Sequence, residues 1–128
     1  MFKFIFLALL STSAFADNWT TGDTYREVAF QTLNVIDWGQ TRYTAQHPES
    51  FHEKELANGG SSEFIGSHPT VSGVDSFMLK VSVLHYGISR TLLYFNLRDW
   101  HEAFQYITIG AKLDATTRNV SIGIGTSF

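Results

Sequence analysis

A chain of 128 residues with 44% hydrophobic and 16% charged side chains is sized for one domain and is too apolar to remain disordered. It has no cysteine, which excludes disulfide staples, Cys-bearing zinc fingers, thiol nucleophiles and thiolate-held iron–sulfur clusters, and leaves its core, lipid or a partner as the source of stability. The net charge is −3, with Lys and Arg scattered singly; without a basic stripe for phosphate contacts, nucleic acid is not an expected partner.

Lys3 supplies a positive amino-terminal region, Phe4 to Leu10 an apolar stretch, and Ser11 to Ala16 a run rich in small residues ending Ala14-Phe15-Ala16. This is the pattern of a cleavable export signal over residues 1–16. Seven apolar residues fall well short of the roughly 20 that cross a bilayer. The short positive region and the A-x-A site point to bacterial export, and cleavage would leave 112 of the 128 residues, 17–128, as a single small domain.

Within that domain, Thr20 or Thr21 can cap a helix, with Asp23 and Glu27 near its positive end. The spacing predicts a helix from about Thr24 to Tyr43, whose buried face would carry Tyr25, Val28, Ala29, Thr32, Leu33, Ile36 and Tyr43 and whose polar face would carry Glu27, Gln31, Asn34 and Thr41. Residues of about 44–70 form a polar connector, rich in acids around Glu49 to Glu63 and in Gly and Ser. A second helix is expected from Asp75 to about Phe95; its length suits a membrane span, against which Lys80, His85 and Arg90 count. A third opens at Asp99, read as an N-cap with Glu102 three residues on. Beyond Ala115, Val120, Ile122 and Ile124 alternate with Ser121, Gly123 and Gly125, which suits a short strand, an extended tail or continued helix. The fold expected is mainly α: a bundle of about three helices after the signal.

Candidate chemistry is sparse. His47, His52 and His68, with nearby acids, contain enough N and O ligands for zinc, but H-x4-H does not set two imidazoles on one helix face as H-E-x-x-H does. Serines, His85 or His101 and several acids could compose a triad on paper, yet no G-x-S-x-G places a nucleophile. No phosphate-binding glycine loop is present, and no cofactor is implied. Asp37, Gln40, Thr41 and Arg42 put a polar group inside an otherwise apolar helix, and with His68 they form the expected interhelical polar cluster. A buried Asp37 needs a partner, for which Arg42, Lys80, Arg90 or His68 are available. Trp19, Trp38 and Trp100, near segment ends, suit either core packing or a membrane interface.

The segments Thr24-Tyr25-Arg26-Glu27, Asp37-Trp38-Gly39-Gln40-Thr41-Arg42-Tyr43, Gly66-Ser67-His68-Pro69-Thr70 and Trp100-His101-Glu102-Ala103-Phe104-Gln105-Tyr106-Ile107-Thr108-Ile109-Gly110 resemble a family of small uncharacterised exported or membrane-associated proteins of proteobacteria and their phages. The resemblance covers most of the mature chain and implies an envelope location and a helical fold, but no activity. Relatives of that kind carry a shorter connector ending in an Asn-Pro-like turn, where this chain has Glu55 to Phe64. The sequence thus points to a non-enzymatic exported protein of the periplasm or envelope, phage-related in a narrower version, whose partner is the membrane, an envelope protein or a second copy of itself. The competing expectation is a small periplasmic metal-assisted hydrolase using His47, His52, His68 and Asp37.

Overall fold

The computed structural model describes residues 19–49 and 69–128. The export signal, His52, His68 and most of the connector lie outside the described residues. Three long helices form a bundle: α1 (Thr21–Gln46), α2 (Val71–Tyr94) and α3 (Arg98–Ser121). At about 1.5 Å per residue they are roughly 36–39 Å long. The first, α1, is the central element, with more extensive contacts to α2 and α3 than those two share with each other.

Local chemistry sets the helix ends. Thr20 caps α1 through a full capping box: its hydroxyl accepts from the Asp23 amide at 3.2 Å and the Asp23 carboxylate accepts from the Thr20 amide at 2.9 Å. Thr70 accepts from the Gly73 amide and starts α2 four residues before the expected Asp75. The expected Asp99 cap is not used. Instead, α3 begins at Arg98 after Leu97, with no side-chain cap, because the preceding turn already fixes the chain. In that turn Asn96 takes a left-handed conformation (φ 60°), the Leu97 amide donates to Leu92 and the Asn96 amide to Leu93, the paired closure that ends helices at an Asn or Gly. The same closure recurs at Gly123 (φ 88°), where Ile124 donates back to Asn119 and Gly123 to Val120.

The alternating carboxy-terminal residues therefore do not begin a strand at Val120, which still belongs to α3. Residues 122–128 instead fold back along α1. Ile124 is buried, Gly125 lies against Tyr43, the Ser127 amide donates to the Gly39 carbonyl at 3.0 Å and the Phe128 ring sits over the Gly39 Cα. A methyl group on Gly39 would collide with that ring. Phe128 is otherwise exposed, so a Gly39→Ala variant displaces the ring instead of unfolding α1. We expect its global stability to stay within about 1 kcal/mol of wild type, since helical Ala gains roughly what the lost contact forfeits, while the Ser127 amide loses hydrogen-exchange protection. Retained protection at Ser127 would contradict this.

The apolar interior is small. Trp38, Val74 and Met78 pack together, with Phe30, Leu93, Ala115 and Ile124 also buried. Most of what lies between the helices is polar, and here the expected faces of α1 are reversed. Glu27, Gln31, Asn34 and Thr41, assigned to the outer face, are buried; Tyr25 at 71% and Ile36 at 38% exposure, assigned to the core, face outwards. The reversal has a physical cause: α2 and α3 also turn polar side chains inwards, so that groups on α1 find hydrogen-bond partners across both interfaces.

Candidate functional site

The polar residues of α1 recur every three or four positions, from Asp23 through Glu27, Gln31, Asn34, Asp37 and Thr41 to Thr44, all buried. That spacing puts them on one face, and the face forms a seam through the bundle. At its start lies Asp23, fully buried, which accepts from Arg26 at 2.5 Å and from both terminal nitrogens of Arg98 at 3.2 Å. Gln105 donates to the Asp23 backbone carbonyl and accepts from Arg26 at 2.7 Å. Burial alone would raise the Asp23 carboxyl; the hydrogen bonds from Arg98 and the Thr20 amide outweigh it and hold the group below its ordinary range. Arg98, in turn, is raised by its bond to Asp23.

One turn further, an imidazole joins all three helices. His85 on α2 has Nδ1 at 2.6 and 3.0 Å from the Glu27 carboxylate oxygens on α1, and Nε2 at 2.7 Å from the Thr108 hydroxyl on α3. Its ring stacks on Phe30 at 3.5 Å and on Phe104 at 4.6 Å. The acid, histidine and hydroxyl are ordered as in a nucleophilic triad, but the chemistry of acyl transfer is not assembled. The Thr108 hydroxyl lies 2.7 Å from the Phe104 carbonyl and 3.1 Å from that of Gln105, and Thr108 stands in the middle of α3, where backbone amides are committed to the helix and cannot form an oxyanion hole. The arrangement is a clamp between helices.

Beyond it, Gln31 donates to the Ser82 carbonyl, and Asn34 to the Met78 carbonyl and Ser82 hydroxyl. Asp37 follows, 1% exposed, taking a 2.6 Å bond from Lys112 on α3. Gln40 donates to the Thr116 carbonyl and accepts from Asn119. The expected cluster is thus distributed over two interfaces. Asp37 and Gln40 face α3; Thr41 donates to the Asp37 backbone carbonyl, not its carboxylate; Arg42 turns to α2, where it bonds Asp75 at 2.6 and 2.7 Å beside Trp38 Nε1. Burial opposes ionisation of Asp75, and the bonds from Arg42 and Trp38 prevail, lowering its carboxyl.

None of the partners expected for Asp37 from the described chain supplies its contact. Arg42 is drawn to Asp75, Lys80 is exposed, and Arg90 bonds Tyr86 and lies over Trp19. His68 is outside the described residues. His47 is exposed, its Nδ1 2.8 Å from the Tyr43 carbonyl and its ring stacked on Tyr43; among the described residues no three His, Asp or Glu side chains converge as a metal site. Sequence reasoning did not place Asp23, Glu27, His85, His101, Gln105 and Thr108 in this cluster. For Asp23 and Glu27 the signal was the unbroken polar spacing along α1; the residues on α2 and α3 carried none of that kind.

His101 on α3 is the seam's least satisfied member. It is fully buried with its ring edge-on to Trp19, its Nδ1 is 3.6 Å from Asp23, and neither ring nitrogen has a hydrogen-bond partner among the described residues. An unsatisfied buried polar group costs about 1–3 kcal/mol. Burial disfavours the charged ring and, with Arg98 and Arg26 nearby, lowers its value from 6.5 despite the attraction of Asp23. The unfolded chain then binds this proton more readily than the folded one, so the contribution is complete above about pH 6.5 and is lost as pH falls below it. Asp23 acts in the same direction at lower pH: its contribution is present above its ordinary value of 3.8 and is lost as pH falls through the depressed one. Urea midpoints should be level at neutral pH, decline below pH 6.5 and decline again below pH 4; a midpoint that rises on acidification would contradict the geometry.

Comparison with family models, curated proteins and solved structures finds no match to this chain.

Proposed function

We propose that this chain is an exported, non-enzymatic envelope protein that rests against a membrane surface through the apolar outer faces of its helices. One observation carries the reading: the interior of the bundle is largely polar while many large apolar side chains are exposed. Charged and amide side chains fill the seam, while Val83, Leu84 and Ile88 on α2, Ile107 and Leu113 on α3 and the corner Tyr94, Phe95, Leu97 and Trp100 are exposed. Large exposed apolar patches mark surfaces that meet lipid or protein, and we read these side chains as such a surface. Among the described residues, no helix is long and apolar enough to cross a membrane; the proposed mode is binding along or against the interface, where Trp and Tyr are favoured. The resemblance of the Asp37-Trp38-Gly39-Gln40-Thr41 and Trp100–Gly110 segments to small exported proteins supports the same location.

Expression of the full chain in a Gram-negative host tests this. We expect a mature amino terminus at Asp17, sedimentation with membranes and release by carbonate; recovery as intact protein in the soluble periplasm would sink the reading. Because Phe95 and Trp100 are exposed, a Phe95→Ser/Trp100→Ser variant should keep its thermal midpoint yet bind neutral phosphatidylcholine vesicles about tenfold less well, the loss of two interfacial aromatics contributing on the order of 1–3 kcal/mol.

A further inference from the structure

Where α1 begins and the turn between α2 and α3 lies, the charges are poised unevenly. Asp23 is a single buried carboxylate shared by Arg26 and Arg98. Their bonds to Asp23 are not equal. Arg26 lies 2.5 Å from the carboxylate with a side chain 18% exposed; Arg98 makes both contacts at 3.2 Å and is 35% exposed, at the first residue of α3. His101, one turn on, has its Nδ1 3.6 Å from the same Asp23 oxygen that Arg26 uses, and both of its buried ring nitrogens lack partners among the described residues.

We propose that His101 is an acid-responsive latch whose protonation draws Asp23 away from Arg98 and loosens the corner between α2 and α3 from α1, presenting that corner to a membrane surface. The final step rests on the membrane-surface reading; the latch itself does not.

The groups around the ring decide the direction. From α1 it is faced by Asp23, Arg26 and Glu27, from its own helix by Arg98, and from the segment before α1 by Trp19. From α2, His85 engages Glu27, while Tyr86 and Arg90 pack against Trp19. Glu27 is thus committed to His85, and Glu102, whose side chain is 45% exposed, stands 3.7 Å from Arg98 and 3.9 Å from Arg26. A charged His101 places a third cation on Asp23. It gains a hydrogen bond by closing the 3.6 Å gap, and like-charge repulsion falls on Arg26 and Arg98. Arg98, the longer-bonded and more exposed of the two, is the one that moves into water. It directly follows the Asn96–Leu97 turn, so this shift breaks the ion pair with Asp23 that joins that turn to α1.

Histidine-selective nitrogen-15 NMR and hydrogen exchange on the full-length mature chain, wild type and His101→Gln, test the latch. In the wild type the His101 ring should titrate below its ordinary 6.5 while the protein stays folded. The amides of residues 94–102, corrected for intrinsic exchange, should exchange about tenfold faster at pH 5 than at pH 7.5. His101→Gln should remove that pH dependence. Equal acceleration in the variant, or none in the wild type, overturns the latch; if the variant fails to fold, a wild-type ring that stays neutral down to pH 4 does so by itself. Flotation with neutral phosphatidylcholine vesicles separates the second step: binding should rise several-fold at pH 5. Loosening without that rise refutes the membrane-surface reading and leaves the latch standing.

Discussion

Replacing His85 by alanine should lower the stability of the bundle by about 3–5 kcal/mol, read as a fall in the urea midpoint at unchanged slope. Two effects add. The Glu27 carboxylate, 2% exposed, loses its Nδ1 donor, and the slot against Phe30 and Phe104 empties. A Glu27→Leu/His85→Leu pair separates them, because it refills the slot and leaves no buried charge; we expect it to be more stable than His85→Ala despite carrying two changes. If His85→Ala unfolds near the wild-type midpoint, the clamp contributes little, and the helices are held by the Trp38, Val74 and Met78 cluster between α1 and α2 and by the other polar contacts of the seam.

The second large effect is expected at Lys112. Its ammonium gives Asp37 the one side-chain hydrogen bond that the carboxylate receives among the described residues, at 2.6 Å, while Asp37 Oδ1 is buried without a partner. Lys112→Met keeps the apolar stem and removes the charge, so the loss isolates electrostatics from packing. Removing one partner of a buried pair is expected to cost about 3 kcal/mol or more. Asp37→Asn in the same background should recover part of that loss, since an amide needs no counter-charge. Failure of the second change to restore stability would show that Asp37 finds another donor when Lys112 is gone.

The three helices were legible in the sequence because each has a periodic apolar stripe of adequate length, and Thr20 is a residue type that marks a helix start; Gly123, which closes α3, was read only as part of an alternating run. The facing of α1 was not. Amphipathic reasoning turns the apolar side towards the core, an inference that holds when water is the outer solvent and the partners are apolar. Here Gln31, Asn34 and Gln40 bond groups 51, 44 and 76 residues away in the chain, and such pairings leave no local trace. Asp37 was recognised as a side chain in need of a partner, but the choice of Lys112 depends on the angular setting of α3, which no spacing within α1 reveals. His101 was likewise visible in the sequence as a candidate triad base, not as a partner of Asp23.

The seam also determines how the helices can slide. An aliphatic interface shifted by one turn, about 5.4 Å, meets another aliphatic surface and loses little. A similar shift of α2 along α1 would separate Gln31 and Asn34 from Ser82 and Met78, and Glu27 from His85, all at once. A shift of α3 would do the same to Asp37 and Gln40. Buried polar pairs fix register in coiled coils by penalising every alternative alignment. Mispaired alignments of this bundle are therefore disfavoured by several broken bonds each, and the exposed apolar side chains of α2 and α3 are carried on helices that these bonds hold in one alignment.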